Sequence, residues 1–181
     1  MKKIVLALTT LALFSCGNGD MKIPDPPTDT AAVKALLTGK TFIAQKTGFW
    51  GVLTVNDKKE VTWIDPKSET EKFSVAAAEE LNGKFSLQFV NDTTVNIISK
   101  ATTTTGTYAV DDKVDEYDKG VEGIKLRLTY VDTSMSFGFG NSSPMNMTYT
   151  YFVKGVDKNE LLLQMPREIN RRPLVALLKT K

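Results

Sequence analysis

Histidine is absent from this chain of 181 residues. Its absence removes the Ser-His-Asp triad, the Cys-His dyad, the usual zinc sites and the commonest general base near neutral pH. Cysteine is nearly absent too: Cys16 stands alone, so no internal disulfide can form. An excess of one charge is also missing, with 23 Lys and Arg against 21 Asp and Glu. Nucleic-acid binding would need a basic face, and nothing here supplies one. The longest apolar stretch, Ile4 to Phe14, is broken by Thr9 and Thr10 and falls short of the ~20 residues that cross a bilayer. Phosphate-binding glycine loops and dinucleotide fingerprints are lacking as well. No pattern argues for a paired-carboxylate or Ser-Lys enzyme, so no catalytic residue is assigned and the chain reads as non-enzymatic.

The first fifteen residues have the build of a secretory leader. Lys2 and Lys3 are followed by the apolar stretch, then by the small Ser15 and by Cys16. The run Leu13-Phe14-Ser15-Cys16 resembles the lipobox of bacterial lipoproteins. The resemblance implies that residues 1–15 are removed, and that Cys16 becomes the first mature residue, bearing a thioether-linked diacylglycerol and often a third acyl chain such as palmitate. Two or more acyl chains anchor stably where one does so only marginally. This covalent lipid is the one prosthetic group expected; no metal and no other cofactor is. With Lys2 and Lys3 gone, 21 basic residues face 21 acidic ones, so the mature chain is formally neutral. Gly17 differs from the Asp that often marks inner-membrane retention, which by the same resemblance favours the outer membrane, facing the periplasm or the surface.

Residues 16–27 run Cys-Gly-Asn-Gly-Asp-Met-Lys-Ile-Pro-Asp-Pro-Pro, and their glycines and prolines predict a flexible tether. Thr28 or Asp29 can cap a short helix over about Ala31–Leu37, with Gly39 as its stop. Beyond Lys40 the pattern becomes short alternating runs between turn residues, the mark of an all-β domain over residues 28–181. Ile124, Leu126, Leu128 and Tyr130 face one way; Phe85, Leu87 and Phe89 do the same, as do Met147, Tyr149, Tyr151 and Val153. Further strands are predicted near 41–46, 50–55, 60–64, 71–76, 94–99, 104–110, 160–165 and 174–179. Turns at Asn56-Asp57, Asn82-Gly83, Asn91-Asp92 and Asp157-Lys158-Asn159 join them. About ten strands in an antiparallel up-and-down meander tend to curl, and closure removes exposed edges. The short N-terminal helix, Leu37-Thr38-Gly39-Lys40-Thr41-Phe42 leading into the first strand, and the meander resemble lipocalin-like lipoproteins. That resemblance implies a closed barrel.

Two features suggest binding. Trp50 and Trp63, on neighbouring predicted strands, could share a face and line an apolar cavity together with Phe42; such aromatics also fill cores. The segment Met135 to Met147 reads as a loop carrying Phe137, Phe139 and Met145, either a lid over a barrel mouth, a protein contact, or an inward plug. The acidic run Asp111–Asp118 lacks calcium-loop spacing and reads as a solvated loop. Arg167, Arg171 and Arg172 precede the last strand, where arginine forks could meet a carboxylate or phosphate. These features support two expectations. One is an outer-membrane-anchored lipoprotein that binds a small apolar or amphipathic ligand. The other is a non-enzymatic accessory subunit of a cell-envelope complex, with a filled core and a protein partner. Neither involves nucleic acid.

Overall fold

A computed structural model describes residues 21–22, 24–49, 53–55, 60–63, 79–113, 123–132, 136–137, 141–142, 144–165 and 174–181. Eight strands close into one antiparallel barrel. In chain order they are β2 (Thr41–Phe49), β5 (Phe85–Phe89), β6 (Thr94–Ser99), β7 (Thr102–Asp111), β8 (Lys125–Asp132), β11 (Met145–Val156), β12 (Glu160–Gln164) and β13 (Leu174–Thr180). Each pairs with the next, and β13 returns to β2, so the connectivity is an up-and-down meander. Outside the barrel, β1 (Met21–Lys22), β4 (Glu60–Trp63) and β3 (Leu53–Val55) form a three-stranded sheet in that order. A two-stranded ribbon joins β9 (Ser136–Phe137) to β10 (Asn141–Ser142). The all-β closed meander, entered through a short helix, is thus the architecture expected from the sequence.

Local chemistry sets the turns. Asn91 Oδ1 accepts from the backbone N–H groups of Thr93 and Thr94 at 3.0 and 2.9 Å, fixing the β5–β6 hairpin. Asp157 Oδ1 does the same for Asn159 and Glu160, both at 2.7 Å, between β11 and β12. The predicted turn at Asn82-Gly83 lies in the approach to β5 rather than between paired strands, and Asn56-Asp57 and the predicted strand 71–76 fall outside the described residues. Helix α1 (Thr30–Leu37) is capped by Asp29, whose carboxylate accepts from the N–H groups of Ala31 and Ala32 at 3.1 and 3.0 Å. Gly39, at φ 76°, ends it in a left-handed conformation and donates its N–H to Phe89 O at 2.8 Å.

That last bond seats the helix across one end of the barrel, where β2 begins and β5 ends. Val33 and Leu37 are buried there with Phe42, Phe89, Leu87 and Tyr108. Phe89 makes edge-on contacts with both Phe42 (6.1 Å between centroids) and Tyr108 (4.9 Å). This end is the closed one. The connections that leave β2, β8 and β12 all begin at the opposite end.

Two expectations meet corrections. The tether expected to run free to Pro27 is held at Met21–Lys22 and at Pro24 and Asp25. Met21 and Lys22 pair with Val61 and Glu60, and Asp25 O accepts from Val156 N at 3.2 Å. Glycine is required at 155 because a Cβ there would stand 2.3 Å from Pro24 O. Alternation also fails to predict one wet barrel face throughout. Phe152, Leu162, Leu177 and Val175 are buried although the register puts them on the outer side of β11–β13, opposite to Val153, Leu161, Leu163 and Leu178. Lys154, beside that outer stripe with its ammonium 5.3 Å from the Phe152 ring, has its pKa lowered by burial.

Candidate binding site

The inner face of the barrel changes character along its axis. At the closed end the inward rows are sealed: Phe42–Leu87–Ile97 and Phe89–Val95 pair across β2, β5 and β6, and every one is buried. Towards the opposite end several inward positions are partly buried, among them Phe85, Thr104, Tyr130, Met147, Tyr149 and Tyr151, whereas Thr47 and Leu163 on the other side of the barrel are buried. Met145, at the rim, is 38% exposed. The wall there is aromatic, thioether and hydroxyl in make-up.

Strands β8 and β11 build the richest part of that wall. Their register sets Tyr130 opposite Met147, Leu128 opposite Tyr149 and Leu126 opposite Tyr151. Tyr130 and Tyr149 are thus diagonal neighbours on one face, within reach of aromatic rings. Their rings stack with centroids 5.1 Å apart and planes 22° from parallel. Tyr151 lies one inward step closer to the floor. Burial pushes its phenol pKa well above the ordinary tyrosine range, and the neighbouring phenols of Tyr130 and Tyr149 add to the rise. The Tyr151 phenol therefore keeps its proton at neutral pH and can donate as well as accept.

Across from Tyr130 stands Gly106 on β7. A Cβ there would come within 2.4 Å of Thr129 O and 2.7 Å of the Tyr130 Cβ. Glycine lets β7 and β8 approach and leaves the room that the Tyr130 side chain occupies. At the floor, Thr38 Oγ1 lies 3.2 Å from the Tyr108 hydroxyl and 3.2 Å from Asp92, linking helix, wall and turn. Burial raises the Tyr108 pKa; the Thr38 bond lowers it, and the Asp92 charge raises it further.

The residues singled out from sequence are placed unevenly. Phe42 is in the sealed floor, packed against Phe89. Trp63 is on β4, which pairs with β3 and β1, none of them a barrel strand. Alternation shows which residues of a strand share a face but not which sheet the strand joins. Trp50, Phe139 and Cys16 lie outside the described residues, and Phe137 is on β9, whose backbone pairs with β10. Met145 is not in a loop. It opens β11, which runs two residues further back than the alternation predicts and carries Met145 to the rim. Alternation puts Tyr130, Tyr149 and Tyr151 on strand faces without marking them as a wall. The missed signal was polar-tipped rings repeating at alternate positions of two paired strands.

Among the described residues, no group of three or more acidic or cysteine side chains is placed to hold a metal. None of their helices is long and apolar enough to cross a membrane. Comparison with protein-family models, curated proteins and solved structures gives no match for this chain.

Proposed function

We propose that this chain is an outer-membrane-anchored lipoprotein whose barrel binds a small apolar or amphipathic molecule and carries out no chemistry on it. The observation that carries the reading is the stacked Tyr130–Tyr149 pair, on a partly buried inner wall above a sealed aromatic floor. Ligand sites have this composition: largely apolar and aromatic walls with a few convergent polar groups. Rings give contact area at little entropic cost, and the phenols supply hydrogen bonds. The lipid anchor rests on the leader and on Cys16.

The test is native mass spectrometry on the secreted Cys16→Ser chain after incubation with envelope lipid extract. A bound small molecule is expected in the wild-type barrel and absent from a Tyr130→Ala/Tyr149→Ala variant that keeps its barrel circular dichroism. A ligand retained equally by both would remove the tyrosine wall from the reading.

A further inference from the structure

We propose that the barrel takes an uncharged ligand, a long-chain alcohol, ester or ketone rather than a fatty acid or a phospholipid, and that the ligand's oxygen accepts a hydrogen bond from Tyr151. This rests on the binding reading above and adds the ligand's class to it.

The charges of the barrel strands stand on its outer surface. Asp111, Lys125 and Arg127 alternate with the inward Val110, Leu126 and Leu128, and Arg127 is paired with Asp111 at 2.8 Å. Glu160 and Lys179 meet each other at 2.7 Å, each one residue from an inward leucine. Lys46 stands opposite Leu177 on the outer stripe, and Lys154 lies against the outer Phe152 ring. Among the described strand residues, one charged position falls in the inward register: Asp132, which ends β8 at the mouth. It is an acid, so the described wall offers a carboxylate or a phosphate no cation to pair with.

The wall does offer a hydroxyl. Tyr151 keeps part of its surface open, yet its phenol has no hydrogen-bond partner among the described residues. The enclosed side-chain atom without a partner among those residues is Gln164 Oε1, on the outer face opposite Phe152; the Tyr151 hydroxyl is not enclosed in this way. It lies beside Leu126 and one inward step below Tyr149. A donor in such surroundings suits a single acceptor oxygen on an otherwise apolar body, because a polar group inside a protein is stable when it finds a partner.

Protonation sets the size of the discrimination. An ionised carboxylate would leave water for a wall without a counter-charge, so an acid enters in its neutral form. With an ordinary carboxyl pKa of about 4.3, about 1 molecule in 500 is neutral at pH 7. A fatty acid should therefore bind about 500-fold more weakly than the alcohol of the same chain length, and regain about tenfold for each pH unit lowered towards that pKa. Arg167, Arg171 and Arg172, in the connection that leaves β12, lie outside the described residues.

For the test, envelope lipid extract is separated by ion exchange into uncharged, zwitterionic and acidic fractions. Each is offered to the secreted Cys16→Ser chain before native mass spectrometry at pH 7. A bound mass is expected from the uncharged fraction alone. Tyr151→Phe, folded by circular dichroism, should hold the same lipid about three- to tenfold more weakly; unchanged affinity overturns the role given to its hydroxyl. A mass taken from the acidic or zwitterionic fraction as readily as from the uncharged one overturns the ligand class and leaves the binding reading intact. So does an acid whose uptake is flat between about pH 7 and pH 5. Uptake of an acid that disappears in Arg167→Ala/Arg171→Ala/Arg172→Ala overturns it too, and places the counter-charge in the connection after β12. No mass from any fraction overturns the binding reading, and the ligand class with it.

Discussion

Replacing Phe89 with Ala tests the division between a sealed floor and an open cup. Phe89 is fully buried, contacts Phe42 and Tyr108 edge-on, and lies beneath a helix whose Gly39 donates to its carbonyl. Truncation removes the ring and leaves a cavity between two strands and a helix, where neighbours fixed by the backbone ladder collapse poorly. Buried Phe→Ala changes cost about 3–5 kcal/mol, and the two lost aromatic contacts, worth about 0.5–1.5 kcal/mol each, put this site at the upper end. Against a domain stability of about 5–15 kcal/mol, that is a large share. With a urea m-value of about 2 kcal/mol/M, the midpoint should fall by about 2 M with the slope unchanged. Tyr149→Ala, on the partly buried wall, should lower it by under half as much. Urea unfolding followed by circular dichroism measures both. A Phe89→Ala loss below about 1 kcal/mol, or equal losses at the two sites, would refute a packed floor beneath an open wall.

Further expectations concern charge, close approach and capping. Arg127 meets Asp111 through Nε–Oδ2 at 2.8 Å and a second guanidinium nitrogen at 3.4 Å. Burial alone would raise the Asp111 pKa, but the Arg127 hydrogen bond and charge outweigh it and hold it below the ordinary carboxylate value. A depressed carboxyl pKa stabilises the fold above the unfolded-state pKa and ceases to do so as pH falls through the folded one. Arg127→Leu should therefore cost about 1 kcal/mol at neutral pH, and the gap from wild type should close below about pH 4 in pH-resolved urea curves. For Tyr151 the sign is opposite: its raised pKa gives stability that is present below the ordinary tyrosine range and fades as pH climbs through it. Tyr151→Phe should flatten the alkaline loss of stability, and phenolate absorbance should show one fewer late-titrating group. Gly106→Ala drives a methyl into Thr129 O and Tyr130 and should destabilise by about 1–3 kcal/mol, seen as a lower melting temperature. Asp29→Ala removes both cap bonds of α1 and should cost about 1 kcal/mol, with earlier amide exchange in residues 31–33 as its local sign.

Much of the barrel is legible in the sequence, because a half-buried strand writes its burial in a period of two. Ile124, Leu126, Leu128 and Tyr130 all turn inward as read, and Asp29 and Gly39 bound the helix as their capping chemistry requires. The misreadings share a cause in non-local pairing. Leu161–Leu163 is apolar without alternation because both faces of β12 are buried. Met21–Lys22 becomes a strand only because β4 offers an edge to pair with. Neighbouring predicted strands suggest that Trp50 and Trp63 line one cavity with Phe42, while pairing puts β4 in a separate sheet. The tyrosine wall is written in the same alternation as the core. Position along the barrel axis separates wall from floor, and that follows from strand register.

The most direct test of the central claim is native mass spectrometry of the barrel with envelope lipid extract, comparing wild type with Tyr130→Ala/Tyr149→Ala. A cup lined by the stacked tyrosines predicts a small molecule of defined mass on the wild type and a bare mass for the folded variant. A bare wild-type barrel at every extract concentration would contradict the account and favour a filled barrel that acts through its surface.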